Sequence, residues 1–153
     1  MIRLDVLQVN RLQGADECLL VLRERDGERL LPITIGPYEA HAIATVHGRQ
    51  AGSRPLTHDL LAAVIGRLRA SLQRVLIHDL RNETFYCQLE LSGDHGLLEV
   101  DCRTSDAVAL ALRTDSPIFA TEEVLDRAAV LPRPGAGSGA DAEGEGPAPA
   151  GGR

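Results

Sequence analysis

Apolar and polar residues alternate, then recur at helical spacing, then alternate again along this chain, and each change of period marks an element. Residues 2–12 and 17–25 are rich in branched and long apolar side chains, and Asp26-Gly27 forms a hairpin turn into a third such run at residues 29–35. The three runs read as an antiparallel meander. Gly36-Pro37 stops the third strand. Tyr38, Ala42, Ile43 and Val46 then recur at helical spacing until Gly48, predicting a helix of about ten residues. Beyond a polar loop at residues 49–55, Thr57 is placed to cap a second helix. Its stripe Leu60, Leu61, Val64, Ile65, Leu68 and Leu72 is the clearest amphipathic pattern in the chain.

A second set of strands follows at residues 74–80 and 83–92, the latter alternating Phe85, Cys87, Leu89 and Leu91 with polar neighbours. Asp94-His95-Gly96 turns the chain into residues 97–103, where Leu98, Val100 and Cys102 are expected to face inward. Residues 105–113 form a helix that is apolar nearly all round, which predicts packing on most of its sides. A short strand at residues 117–119 and a helix capped by Thr121 and ending near Ala128 complete the folded part. Strand runs separated by helices, without βαβ alternation, predict an α+β fold: a mainly antiparallel sheet with three to four packed helices.

Composition changes at Pro132. The last 22 residues contain 16 Gly, Pro or Ala and no Val, Ile, Leu, Met or aromatic residue, so residues 132–153 are expected to be a disordered tail behind one domain at residues 1–131. That domain is long enough to bury a core without disulfides or a structural metal. Three cysteines with no C-x-x-C pattern, Cys18, Cys87 and Cys102, read as reduced thiols behaving as small hydrophobes. No apolar run approaches the ~18 residues of a membrane span. Asp5, Gln8 and Asn10 interrupt any leader-like stretch, so a cytoplasmic protein is expected. The net charge of −6 argues against holding nucleic acid by bulk electrostatics, leaving only local contacts. All 16 basic residues are arginine, which excludes lysine-based covalent or P-loop chemistry.

Carboxylates stand in the first turn of three expected helices: Glu39, Asp59 and Asp106. Taken singly, each is explained by the helix dipole, and the neighbouring threonines by capping, at roughly 0.5–1 kcal/mol apiece. Their company suggests more, because Arg54 and His58 accompany Asp59, while Arg103 and Ser105 accompany Asp106. If these helix starts converge, the carboxylates can hold Mg²⁺ or Mn²⁺, the histidine can move a proton and the arginines can grip a phosphodiester. His41 and His47 on the first helix, His78 within a strand and His95 in a turn read as surface or packed imidazoles. No H-E-x-x-H, G-x-S-x-G, Walker loop or dinucleotide glycine pattern occurs in the folded part.

Four ordered blocks resemble the bifunctional nuclease family, a bacterial and plant domain described as having both DNase and RNase activity. LPITIGPYEAHAI at residues 31–43 is similar to its L-P-I-x-I-G-x-x-E-A-x-A-I segment, and RPLTHDLL at residues 54–61 to its R-P-x-T-H-D-L segment. RTSDAVALALR at residues 103–113 resembles R-P-S-D-A-hydrophobic-A-L-A-x-R, with Thr104 in place of the usual proline, and PIFATEEVL at residues 117–125 resembles the P-I-hydrophobic-x-x-x-x-V-L ending. A threonine at 104 can still cap the helix, but it gives up the rigid turn a proline would supply.

The resemblance implies an α+β fold and nuclease activity on DNA and RNA, and the reading that follows is cleavage of phosphodiester bonds with limited base preference. The site expected from the matching positions uses Glu39, Asp59 and Asp106 for a divalent metal, Mg²⁺ or Mn²⁺. His58 serves as general acid or base with Ser105 beside it, and Arg54 and Arg103 bind phosphate. The alternative is a non-catalytic interaction or oligomerisation module, since the body is acidic and every motif residue also has a structural explanation. A sheet with exposed edges leaves homo-oligomerisation open.

Overall fold

The structure, a computed structural model, describes residues 1–48, 52 and 54–134. Among these residues it contains four helices and one seven-stranded, mostly antiparallel sheet. The first meander is β1 (Ile2–Arg11), β2 (Cys18–Glu24) and β3 (Leu30–Ile35), followed by α1 (Pro37–His47) and α2 (Thr57–Arg67). The second is β4 (Ser71–Arg81), β5 (Thr84–Gly93) and β6 (Gly96–Cys102), followed by α3 (Thr104–Thr114), β7 (Ile118–Ala120) and α4 (Glu122–Ala128). Of the loop expected at residues 49–55, positions 49–51 and 53 lie outside the described residues, as do residues 135–153 of the expected tail.

The strand order is β3-β2-β1-β7-β4-β5-β6. Read outward from β7, each side presents the first, second and third strand of its own meander. The short β7 pairs antiparallel with β1 through Ile2–Leu4 and parallel with β4 through Val75–Ile77, so the two meanders run in opposite directions. Helix α1 packs on β1 and β2, α3 packs on β4 and β5, and the two helices pack against each other. Small side chains make this closeness possible: Ala40 and Ala42 of α1 and Ala107, Ala109 and Ala111 of α3 are all buried. Leu20, Leu22, Leu31, Ile43, Val75, Ile77, Val108 and Leu110 fill the shared core at 0% exposure, each contributing about 1.5–3 kcal/mol.

Helix α3 is as enclosed as its sequence predicts, with Thr104, Ser105 and Ala107 to Ala111 buried. Several expectations need correction. The N-cap of α2 is Leu56, not Thr57, and the N-cap of α3 is Arg103; Thr104 is the first helical residue and its buried Oγ1 has no partner among the described residues. Leu72 belongs to β4 rather than to the α2 stripe, because Arg69 takes a left-handed conformation (φ 60°) that ends the helix. The amphipathic pattern overstates the burial of α2, which has no buried residue and leaves Leu60, Val64 and Leu68 exposed. Among the helices it packs chiefly on α3, through one side that includes Ala62 and Ile65. Leu98 and Val100 are 50% and 42% exposed, since β6 is an edge strand beyond the reach of α3, which covers β4 and β5.

Candidate active site

Three helices place a carboxylate at the third residue of the first turn: Glu39 in α1, Asp59 in α2 and Asp106 in α3. Backbone N–H groups left free at a helix start make that turn favourable for negative charge. Two of the three acids are brought together. Arg103, just ahead of α3, donates from Nε to Asp106 Oδ2 at 3.1 Å and from Nη2 to Glu39 Oε1 at 3.3 Å. The other Asp106 oxygen, Oδ1, lies 2.8 Å from His58 Nε2. The result is a continuous chain, His58–Asp106–Arg103–Glu39, contributed by three helix starts. The His58 side chain is only 12% exposed, whereas Arg103 is 67% exposed and open to an incoming group.

Glu39 reaches Arg103 by curling back over Gly36. A Cβ at position 36 would collide with the Glu39 carboxylate, so the glycine makes room for this rotamer.

Asp59 is engaged elsewhere. Its Oδ2 accepts from the Leu56 backbone N–H at 2.7 Å and its Oδ1 from Arg113 Nε at 2.7 Å. These two bonds, the backbone N–H first, hold the Asp59 carboxyl below the usual carboxylate range. Arg113 is 5% exposed and also donates through Nη1 to the carbonyls of Ala42 and Ala109, at 3.0 and 2.8 Å. One guanidinium thus joins α1, α2 and α3. The sequence reading did not single out Arg113, although a lone arginine ending an otherwise apolar helix signals a buried cation in need of a carboxylate.

A cleft of about 690 Å³ adjoins the chain of charged groups. Glu39, Arg103, Thr104 and Ser105 form one side, and Ile35 of β3 and Phe85 of β5 contribute apolar wall. Ser105 is buried beneath it, and Arg54 stands exposed in the segment leading into α2. His58 and Asp106 are not part of the wall and connect to it through Arg103.

The donor set does not suit a divalent cation in this arrangement. Glu39 and Asp106 each give an oxygen to Arg103, and Asp59 gives one to Arg113. Among the described residues, no three His, Cys, Asp or Glu side chains gather as a metal cluster. A hard cation wants several carboxylate oxygens not already committed to guanidinium.

Fold and site together describe an α+β domain in which a carboxylate-anchored histidine and an exposed arginine meet beside an open cleft. Residues 20–132 match the bifunctional nuclease domain family, and the chain belongs to it. It is also 44% identical over 119 residues to uncharacterized proteins of Mycobacterium tuberculosis strains CDC 1551 / Oshkosh and H37Rv, covering 78% of this chain and 71% of each relative. No helix among the described residues is long and apolar enough to cross a membrane.

Proposed function

We propose that this protein is a nuclease that hydrolyses phosphodiester bonds of DNA and RNA with limited base preference. The observation that carries the reading is the His58–Asp106–Arg103–Glu39 chain beside the cleft, in a member of this family. Asp106 accepts from His58 Nε2, which leaves Nδ1 to take a proton from the attacking hydroxyl or water and return it to the leaving oxygen of a strand that runs from the cleft past Arg103. Arg103 binds a non-bridging phosphate oxygen and offsets the charge that grows there, and Arg54 adds a second cation on the approach. Glu39 holds Arg103 in place, and Ser105 lies within the wall that the phosphate meets.

The test is cleavage of matched single-stranded DNA and RNA by purified wild type, His58→Ala, Asp106→Asn and Asp59→Asn, each with Mg²⁺, Mn²⁺ or EDTA. His58→Ala and Asp106→Asn should lose about 100-fold or more, while Asp59→Asn retains cleavage. Equal activity in all four proteins would overturn the assignment. The EDTA arm decides whether a divalent cation belongs to the reaction.

A second reading, an oligomerisation module built from copies of this chain, is favoured by the apolar side chains left exposed on α2 (Leu60, Val64, Leu68) and on the edge strand β6 (Leu97, Leu98). Light scattering across a concentration series tests it. A monomer at all concentrations would remove it.

A further inference from the structure

Cys87 and Cys102 are directly opposite each other on β5 and β6. Facing residues on antiparallel neighbours have Cα atoms about 4.5–5.5 Å apart, within the roughly 4.4–6.8 Å that a disulfide spans. Cys102 Sγ already donates to the Cys87 carbonyl at 3.5 Å, so its side chain points along the strand-to-strand direction. Cys87 is fully buried, whereas Cys102 is only partly buried. The third cysteine, Cys18, is buried on β2 in the other meander.

We infer that Cys87 and Cys102 are a redox-active dithiol, oxidised to an intramolecular disulfide by peroxide. The pair is asymmetric in the way such chemistry uses. Its mutual hydrogen bond holds the Cys102 thiol below the ordinary range and, together with burial, pushes Cys87 up. Cys102, the less buried of the two, is the attacking thiolate. Its sulfur bonds to one peroxide oxygen, the O–O bond breaks, and the departing hydroxide takes a proton to leave as water. The Cys87 sulfur then attacks the Cys102 sulfenic sulfur; the S–S bond forms, the S–O bond breaks, and the hydroxide leaves as water with the Cys87 proton. Two electrons pass from the sulfurs to peroxide, giving one disulfide and two waters.

The bond would sit at a sensitive junction. Cys102 is the last residue of β6, Arg103 is the N-cap of α3, and Thr104 with its unpartnered Oγ1 follows. Bridging Cys102 to Cys87 fixes the strand end from which Arg103 reaches Glu39 and Asp106. The covalent reaction itself is independent of the proposed nuclease activity.

The experiment is titration of the reduced full chain with hydrogen peroxide, read by intact mass and peptide mapping. No arginine lies between the two cysteines, so trypsin leaves both on the fragment of residues 82–103. That fragment should lose two hydrogens and regain them with dithiothreitol, in wild type and in Cys18→Ala alike. Cys102→Ala, a change at the partly buried position, should abolish the loss. Any of three results would overturn the inference: a reduced pair at peroxide levels that oxidise free cysteine, accumulation of a Cys102 sulfinic acid, or disulfides involving Cys18.

Discussion

In β1–β3 with α1, and again in β4–β6 with α3, three antiparallel strands run directly into an 11-residue helix whose third residue is a carboxylate. Aligning the N-caps Gly36 and Arg103 sets Glu39 against Asp106, Ala40 against Ala107, Ala42 against Ala109, Ile43 against Leu110 and Ala44 against Ala111. The correspondence explains why two acids meet: the meanders run in opposite senses and their alanine-faced helices pack together. The differences show where chemistry was added. Only the second helix has an arginine at the N-cap, and that one side chain reaches both acids. Only the second has a buried arginine, Arg113, where the first has Val46. The outer strands also differ, since β3 buries Leu31, Ile33 and Ile35 while β6 exposes Leu97, Leu98 and Val100.

The matched acids offer the strongest way to break this comparison. Asp106→Asn should lower cleavage by about 100-fold or more because it removes the carboxylate beside His58, whereas Glu39→Gln should cost about tenfold or less through weaker positioning of Arg103. Equal losses in steady-state kinetics would make the two positions equivalent after all.

Replacing Arg113 by Ala should destabilise the fold by about 2–3 kcal/mol in urea unfolding, less than for a fully buried pair because Asp59 is 41% exposed. Val46→Ala, at the matching place in α1, should cost about 1 kcal/mol.

Acid titration sharpens the same point. The folded Asp59 carboxyl titrates below its ordinary value near 3.8, so the stability it supplies is complete above that pH and is lost as pH falls through the folded value. Wild type should therefore lose more stability than Asp59→Asn between about pH 5 and 2 in pH-dependent urea melts. Parallel curves would remove the assigned role.

The smallest effect is expected at Gly36. Gly36→Ala should leave the fold within about 1 kcal/mol of wild type while displacing Glu39 from Arg103, a shift readable in the Arg103 side-chain ¹⁵N resonance. An unchanged resonance would mean that Glu39 does not depend on the glycine.

Legibility in the sequence followed the range of the forces involved. Period-2 and period-3.6 patterns are local, so α1, α3, α4 and the strands other than β4, which begins three residues earlier than its pattern, could be read nearly to their bounds, and Thr121 does cap α4 by accepting from the Val124 N–H. The stripe assigned to α2 overshot because a leucine at helical spacing looks the same whether it faces the core, solvent or a neighbouring strand. The left-handed turn at Arg69 is what separates Leu72 from the helix.

By itself the sequence determined the class of fold, the order of its elements and the set of charged residues at the helix starts, since each depends on neighbours a few positions away. Only the tertiary structure decided which of those charges meet. His58 and Asp106 are 48 residues apart, Glu39 and Arg103 are 64, and Asp59 and Arg113 are 54. A carboxylate at the start of a helix carries the same local signal in all three cases. Partner choice was set by how α1, α2 and α3 pack, with Arg113 drawing Asp59 to itself and Arg103 joining the other two.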